Sequence, residues 1–476
     1  MKKEFLFNIA LLFIINLLVK LTYLFLVEVN VQNTLGPEQY GLFLALFNFS
    51  YLFQFINDPG LQSYNTTSIA SGHTSGKGHL SEMLGLKVVL ALIFLIAVFI
   101  GGWLIGYRSV YLSQLLTLIA INHILSTLYM LLRSTLSAHG YYRQDSLISA
   151  LDKLLMIVVI GYLLLFHRES FSMLYFILGQ MISFFVACLV VVLILINKHI
   201  FSLPKVSLKA GKYMLRKAAP YALILLLMAS YNKMDGVMIE RLLPEGDYQA
   251  GIYAASLRYM DAANMGAYLF AALLLPMFSS LKENFREIDE LSYIGIRLMM
   301  VFVGTVVIIG ITYRVELMSI YKAFDNQYNA LLVLHLISFA AVGISYIYGT
   351  LLTATGKLRS MNTILVLGLV VNLILNLILI PRMMATGAAI ATLVTQWVVM
   401  IGQLALSANG FALTVHMKTI LSIIIFVALS FITLDYWHNY IPIPWYLSAP
   451  LGAIIMLFVA FFLGIVRKDM IFALVK

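Results

Sequence analysis

Long apolar stretches alternate with short polar breaks along the whole chain. A helix needs about 20 mainly apolar residues to cross a bilayer, and most of the stretches are about that long. They predict fourteen membrane-spanning helices, at residues 5–30, 41–66, 83–106, 111–136, 147–166, 172–196, 217–240, 250–278, 293–313, 329–353, 361–380, 385–406, 414–434 and 446–466. Strand-like alternation is absent, so the pattern indicates an all-α integral membrane protein rather than a membrane β-barrel.

Composition supports this interpretation. Of the 476 residues, 62% are hydrophobic and only 11% are charged. Too few polar residues remain to cover the exterior of a water-soluble fold of this size. The abundance of Leu, Ile, Val and Phe argues against a disordered chain, and the single cysteine excludes an internal disulfide framework.

The distribution of Lys and Arg predicts the orientation. With the N-terminus in the cytoplasm, 22 of the 31 Lys and Arg residues fall on the inner side, six fall on the outer side, and Lys20, Lys233 and Arg258 lie inside spans. The positive-inside rule therefore favours two cytoplasmic termini and an even number of spans. The net charge of +10 is explained by topology, and we expect no nucleic-acid partner.

Two short motifs recur at similar offsets. Leu136–Arg143 aligns with Leu352–Arg359, and Gln39–Phe43 aligns with Gln249–Tyr253. Both pairs lie six spans apart, and an even period means that the two repeats share one orientation. The predicted organisation is a first lobe at 1–196 (spans 1–6), a basic cytoplasmic connector at 197–216, a second lobe at 217–406 (spans 7–12) and two additional helices at 407–476.

The connector is strongly basic. Residues 197–217 contain six Lys or Arg and no acidic residue. We expect it to lie on the cytoplasmic side, held by anionic lipid, with docking of a protein as the alternative.

Polar residues form stripes on single helix faces in spans 1, 2, 4, 7, 8 and 10, which are equivalent members of the two repeats. Two lobes facing each other across a polar cavity would produce this pattern, because ionisable residues inside a membrane usually face a cavity or each other. The predicted substrate-binding residues are Asn16, Lys20, Arg133, Asn232, Lys233 and Arg258. The predicted ion-coupling residues are Asp58, Asp235 and Asp261.

Some of these residues could instead have structural roles. Asn side chains also join helices by hydrogen bonds. Arg258 and Asp261 are three residues apart and could neutralise each other, and Arg133 could reach out to lipid phosphates. Asp58-Pro59-Gly60 lies inside span 2, where proline removes a backbone hydrogen bond, so we expect a kink there.

No catalytic, metal-binding or cofactor-binding motif is recognisable. The nine histidines form no metalloprotease pattern, and one cysteine cannot build a zinc site. The predicted outer loops are short, which disfavours a membrane enzyme acting on polyprenyl-linked sugars, although that alternative stays open. We therefore expect a non-enzymatic protein without cofactor or metal, driven by an ion gradient, the membrane potential or the gradient of its substrate.

A set of motifs resembles a known family. The motifs are Leu35-Gly36-Pro37-Glu38-Gln39-Tyr40-Gly41, Asp58-Pro59-Gly60, Ala219-Pro220, Tyr231-Asn232-Lys233-Met234-Asp235, Gly251-Ile252-Tyr253-Ala254-Ala255, Ala354-Thr355-Gly356-Lys357, Asn372, Asn376, Ile380-Pro381 and Gly387-Ala388-Ala389-Ile390-Ala391-Thr392. Their order over residues 1–406 is similar to that in polysaccharide repeat-unit flippases of the multidrug/oligosaccharidyl-lipid/polysaccharide exporter superfamily.

The resemblance implies two six-helix lobes forming a V-shaped cavity that alternates between inward- and outward-open states. It implies transport of undecaprenyl-diphosphate-linked oligosaccharide (an O-antigen, capsule or exopolysaccharide unit) across the bacterial cytoplasmic membrane. Membrane lipids, a polysaccharide polymerase and export machinery are the implied partners, and we expect a monomer. Three cations within spans suit an anionic diphosphate. The three carboxylates keep a cation/multidrug antiporter as the alternative.

Overall fold

The computed structural model describes residues 16–70, 77–281, 284–322, 329–414, 416–467 and 470. In these ranges all regular structure is helical. Residues 16–22 are helical and lead into a π-helical stretch at Tyr23–Glu28. The α-helices that follow are α1 (Val29–Leu52), α2 (Gln54–Asn57), α3 (Leu61–Ala70), α4 (Lys77–Ile105), α5 (Val110–Ala138), α6 (Tyr142–Ile148), α7 (Leu151–Phe166), α8 (Met173–Asn197), α9 (Leu208–Leu242), α10 (Gly246–Ser280), α11 (Phe285–Thr312), α12 (Arg314–Met318), α13 (Asn329–Ala354), α14 (Leu358–Phe411), α15 (Met417–Tyr440) and α16 (Trp445–Phe462).

The predicted all-α membrane fold is confirmed. Within the described residues, ten helices are long and apolar enough to cross a membrane. Two of the long helices are interrupted, α1 at Gly36 (φ 80°, ψ 165°) and α14 at Met384 (φ 54°, ψ −138°). Both interruptions fall between predicted spans. Pro37 favours the first, because proline disfavours the helical conformation in the residue before it and glycine adopts a positive φ without a steric penalty. The exact count of fourteen crossings stays a prediction.

The expected kink in span 2 is a complete break of the helix. Residues 58–60 separate α2 from α3, and Gly60 has a φ of 91°. Glycine adopts this left-handed conformation without a steric penalty. The main chain therefore changes direction in the middle of a predicted span.

The two motifs that the repeat alignment pairs form the same turn at the end of a helix. After α5, the amide of Gly140 donates to Ser137 O (2.9 Å) and that of Tyr141 donates to Leu136 O (3.1 Å). After α13, the equivalent amides of Gly356 and Lys357 donate to Thr353 O and Leu352 O at 3.1 and 2.9 Å. Gly140 and Gly356 have φ values of 84° and 77°, as the glycine of such a helix terminus requires.

Each of these turns also carries a cation–aromatic contact. Lys198, just after α8, lies 4.8 Å from the ring of Tyr141. In the second repeat the lysine itself is at the turn: Lys357 lies 4.0 Å from the ring of Phe411 at the end of α14. Both turns therefore have a lysine–aromatic contact, in which the ring belongs to the first turn and the lysine to the second.

Two compact units divide the chain at residues 251 and 252, so the first unit extends through α9. Within this unit α9 packs closely on α1: a Cβ on Gly236 would be 2.6 Å from the amide nitrogen of Asn48 and 3.4 Å from Leu44. The lobe boundary at 197–216 stays a prediction.

In the second unit the two additional helices, α15 and α16, pack on α11. Phe426 of α15 lies against Gly304, where a Cβ would be 3.0 Å from its ring. The hydroxyl groups of Tyr313 and Ser448 are hydrogen-bonded and buried. Arg297 of α11 donates to the hydroxyl of Tyr293 at 2.9 Å and to the carbonyl of Gly464. The two helices are thus attached to α11 by apolar packing and polar contacts.

Candidate functional site

The candidate residues fall in both compact units. Seven of the predicted site residues lie in the first unit, which ends at Gly251, and two lie in the second: the first set is Asn16, Lys20, Asp58, Arg133, Asn232, Lys233 and Asp235, and the second is Arg258 and Asp261.

Lys20 and Arg133 are electrostatic neighbours within the first unit. Lys20 is half-buried and interacts with Asp152 and, as a like charge, with Arg133 and Lys153. Arg133 donates its Nε–H to Asp145 Oδ1 at 2.9 Å. With three cations and two carboxylates, this group, which we term the basic cluster, has a formal charge of +1.

The basic cluster is bordered by polar and aromatic groups. Asn16 donates to Ser146 O at 3.2 Å and accepts a hydrogen bond from Ser149 Oγ. Lys153 lies 4.5 Å from the ring of Tyr23, and the guanidinium of Arg133 lies 5.5 Å from the ring of Tyr129. The sequence prediction missed Asp145, Asp152 and Lys153, which lie in or before span 5, where no polar stripe is evident.

Lys233 lies over aromatic side chains of α1. Its Nζ is 5.9 Å from the ring of Tyr51, which stacks with Phe47 at 6.4 Å and contacts His123 at 5.6 Å. His123 is buried, and its Nε2 lies 3.3 Å from Phe47 O. Together these side chains form an aromatic surface beside a cation.

The neighbours of Lys233 in sequence differ in exposure. Asn232 is exposed, whereas Asp235 is only 2% exposed.

Asp58 has a local structural role. Its Oδ1 accepts hydrogen bonds from the amides of Gly60 (3.1 Å) and Leu61 (2.7 Å), and so holds the turn that begins α3. Side chains of Asp commonly bond to the main chain two or three residues ahead in this way.

Lys87 is a buried cation that the sequence prediction missed. It is 3% exposed, and its ammonium group donates to Asn57 O (2.8 Å), Asn57 Oδ1 (2.9 Å) and Thr127 Oγ1 (2.7 Å). Asn57 is the last residue of α2, so Lys87 caps that helix end, and it also interacts electrostatically with Asp58. The charge count placed Lys87 on the inner side, although its position inside an apolar stretch of α4 was the signal that could have identified it.

In the second unit Arg258 is 3% exposed. Its Nη1 donates to the hydroxyl of Tyr321 at 3.0 Å, and the guanidinium lies 5.8 Å from the same ring. Asp261, one turn further along α10, is half-buried. A tyrosine on the neighbouring segment thus holds the buried arginine.

A polar network lies at the carboxyl end of α9. The hydroxyl of Tyr107 donates to Glu240 Oε2 at 2.8 Å, and Arg241 pairs with Glu240 while its guanidinium lies 4.2 Å from the Tyr107 ring. Burial, and then the adjacent Glu240 carboxylate, raise the pKa of Tyr107, which keeps its phenol protonated as a donor. A cavity of about 680 Å³ adjoins this network and is lined in part by Glu38, Glu245 and Asp247.

Among the described residues, no three or more His, Cys, Asp or Glu side chains group so as to hold a metal ion.

Comparisons with known proteins give a family and a fold. A sequence-family profile described as "Polysaccharide biosynthesis protein" matches residues 5–282. No curated protein matches the chain at a significant level.

Several solved structures share the fold. A lipid II flippase MurJ in an inward closed conformation matches with a TM-score of 0.69 and 15% identity, covering 95% of this chain and 98% of that one. An inward-facing multidrug resistance MATE family transporter matches at 0.65 and 14%, covering 82% and 94%. A MOP superfamily transporter from Pyrococcus furiosus matches at 0.58 and 13%, covering 85% and 95%.

Proposed function

Because the chain belongs to the polysaccharide biosynthesis protein family and has the fold of MOP superfamily transporters, we propose that it is a flippase for lipid-linked oligosaccharide. The substrate class we propose is undecaprenyl-diphosphate-linked oligosaccharide, moved from the inner to the outer leaflet of the bacterial cytoplasmic membrane. Both termini are then cytoplasmic, and the protein works as a monomer beside the polymerase and export machinery.

The observation that carries this proposal is the basic cluster. Lys20, Arg133 and Lys153 are partly buried within helices, where uncompensated charge is costly unless it meets water or an anion. Among the described residues, two carboxylates balance only part of their charge. A diphosphate group would supply the missing negative charge, since ammonium and guanidinium groups donate strong hydrogen bonds to phosphate oxygens.

The second element of the proposal is the aromatic surface at Lys233. Phe47 and Tyr51 stack beside this cation. Flat ring faces accept the C–H faces of sugars, while the adjacent amide of Asn232 can bond to hydroxyl groups. We propose that Lys233, Asn232 and Arg258 each contact the sugar–diphosphate head of the substrate during its passage across the membrane.

Transport of a charged lipid head needs a source of energy. We propose that at least one of Asp58, Asp235 and Asp261 exchanges a proton or sodium ion during alternating access. Asp235 is the strongest of the three on structural grounds, because it is almost fully buried in α9, whereas Asp58 already bonds to two main-chain amides.

Flipping is measured in right-side-out vesicles loaded with lipid-linked oligosaccharide, by the exposure of its glycan to an added lectin. At substrate levels below saturation we expect Lys20→Gln and Lys233→Gln to lower the rate at least about tenfold, since a loss of about 1.4 kcal/mol of binding raises the Kd tenfold. Arg382→Gln changes an exposed arginine and is the matched control with an unchanged rate.

The buried carboxylate Asp235 favours one other function, the export of cationic drugs. Cells carrying the protein would then resist lipophilic cations, and Asp235→Asn would abolish that resistance. Drug resistance, together with glycan exposure to lectin that is no greater than in vesicles without the protein, would refute the flippase proposal.

A further inference from the structure

The connector before α9 is seated on the amino-terminal part of α4. The amide of Lys205 donates to Ser81 O at 2.9 Å, and Ser81 Oγ donates to Leu203 O. The connector's main chain passes so close to Gly85 that a Cβ there would be 2.8 Å from Val206 N. The main chain at 203–206 is therefore held in place while its side chains stay exposed.

The first turns of α9 have two different faces. Gly211, Met214 and Ala218 are buried, and Gly211 faces Leu86. The opposite side presents a cationic stripe, made of Lys209, Lys212 and Arg216, all of them exposed. Residues three, four and seven apart share one face of a helix, so these cations form one continuous surface.

Large apolar side chains are exposed between the cations. Leu203 is 77% exposed, Leu208 is 87% exposed, and Val206 and Tyr213 are exposed as well. Exposed apolar area costs about 25 cal/mol per Å² in water. These side chains are therefore more stable at the interface between an apolar phase and water than in water alone.

Among the described residues, no carboxylate pairs with these cations. The ion pairs of the described residues include none with Lys205, Lys209, Lys212, Arg216 or Lys217. Lys217 lies 5.8 Å from the Tyr213 ring, and no acidic residue occurs in 197–217. An external anion would neutralise these cations.

We propose that this surface binds anionic phospholipid headgroups of the membrane leaflet that it faces. The helix bearing the cationic stripe continues directly into the span predicted at 217–240, which places the stripe at the level of the headgroups. Each Lys or Arg near an anionic surface contributes about 1 kcal/mol of attraction. Leu203, Val206 and Leu208 insert between acyl chains beside the phosphates. This inference does not depend on the transported substrate.

The test uses full-length protein in nanodiscs, with an environment-sensitive dye on a single cysteine, Ser207→Cys in a Cys188→Ala background. Quenching by acyl-brominated phosphatidylglycerol is compared with quenching by acyl-brominated phosphatidylcholine at equal mole fraction. We expect the anionic lipid to quench at least about threefold more strongly, since four cations attract it to the surface.

Two charge variants separate local binding from net charge. Lys205→Gln, Lys209→Gln, Lys212→Gln and Arg216→Gln together should abolish the preference for the anionic lipid. The control removes four exposed arginines at predicted outer ends, Arg108→Gln, Arg168→Gln, Arg314→Gln and Arg382→Gln, and should retain it.

Insertion of the apolar side chains is tested separately. Leu203→Ser with Leu208→Ser should reduce quenching by both brominated lipids, because the dye then lies further from the acyl chains.

Three results would overturn the proposal. One is equal quenching by the two lipids in the parent protein. Another is a preference that survives the four connector substitutions. The third is displacement of the anionic phospholipid by a few mole per cent of polyprenyl diphosphate, which would assign the surface to the transported lipid.

Discussion

Gly41 and Gly251, which the repeat alignment pairs, lie against each other's segments in the first compact unit. A Cβ on Gly41 would overlap Asp247 O and lie 2.5 Å from Gly251 N, whereas ordinary contacts of a Cβ are 3.4–4 Å. A Cβ on Gly251 would overlap Pro37 O and lie 2.6 Å from Pro37 C. The two helical segments must separate by clearly more than 1 Å to admit a single methyl group without close contacts.

The cost of Gly41→Ala follows from this geometry. Overpacking against main-chain atoms costs about 1–3 kcal/mol. Separation also stretches the buried bond in which Gln32 Nε2 donates to Gly251 O at 2.8 Å, and a stranded buried group costs about 1–3 kcal/mol more. Alanine returns about 0.5–1 kcal/mol through its higher helix propensity. We expect a net destabilisation of about 1–5 kcal/mol.

The assay is thermal unfolding of the purified protein in detergent. At roughly 2 °C per kcal/mol for a large chain, Gly41→Ala should lower the midpoint by about 2–10 °C. Gly161→Ala is the matched control, since a Cβ at that helical position meets nothing within 4 Å, and its midpoint should stay equal or rise slightly.

The double variant Gly41→Ala/Gly251→Ala gives a sharper test. Once the first methyl group has separated the segments, the second meets less resistance, so the two effects should be clearly less than additive. An unchanged midpoint for Gly41→Ala, or full additivity, would refute the close contact between the segments.

Three further predictions concern single side chains. Lys87→Met leaves both oxygens of Asn57 without their donor and should lower the free energy of unfolding by about 2–3 kcal/mol in the same assay. The effects of Lys87→Met and Thr127→Val should be less than additive in the double variant. A midpoint equal to wild type for Lys87→Met would contradict the capping role. Asp58→Ala should destabilise by about 1 kcal/mol, whereas Asp58→Asn keeps the acceptor and should not. If Asp58→Asn nevertheless loses the pH or sodium dependence of transport while remaining folded, Asp58 couples an ion; unchanged dependence removes it from that role. Lys357→Met should lower the free energy of unfolding by about 0.5–2 kcal/mol, because it loses the contact with Phe411, and Lys357→Arg should retain most of the wild-type stability. Equal midpoints for Lys357→Met and wild type would show that the cation–aromatic contact contributes nothing.

The amino-acid sequence determined the class of fold and much of its plan. The backbone N–H and C=O groups of an apolar stretch of membrane length bond to each other within a helix, because no water is available in the bilayer to bond to them. The break at Asp58-Pro59-Gly60 follows from local chemistry, as do the turns at Gly140 and Gly356. The family resemblance rested on short motifs in a fixed order, and the family match confirms it.

Only the tertiary structure decided how the charged side chains are partnered. A stripe on one helix shows which residues share a face, but the partner comes from another helix, as Lys87 does for Asn57 and Asp145 does for Arg133. For the same reason the close packing of α9 on α1 was visible only in the structure. Periodicity is a property of one helix, and burial and charge pairing depend on contacts between helices far apart in the chain.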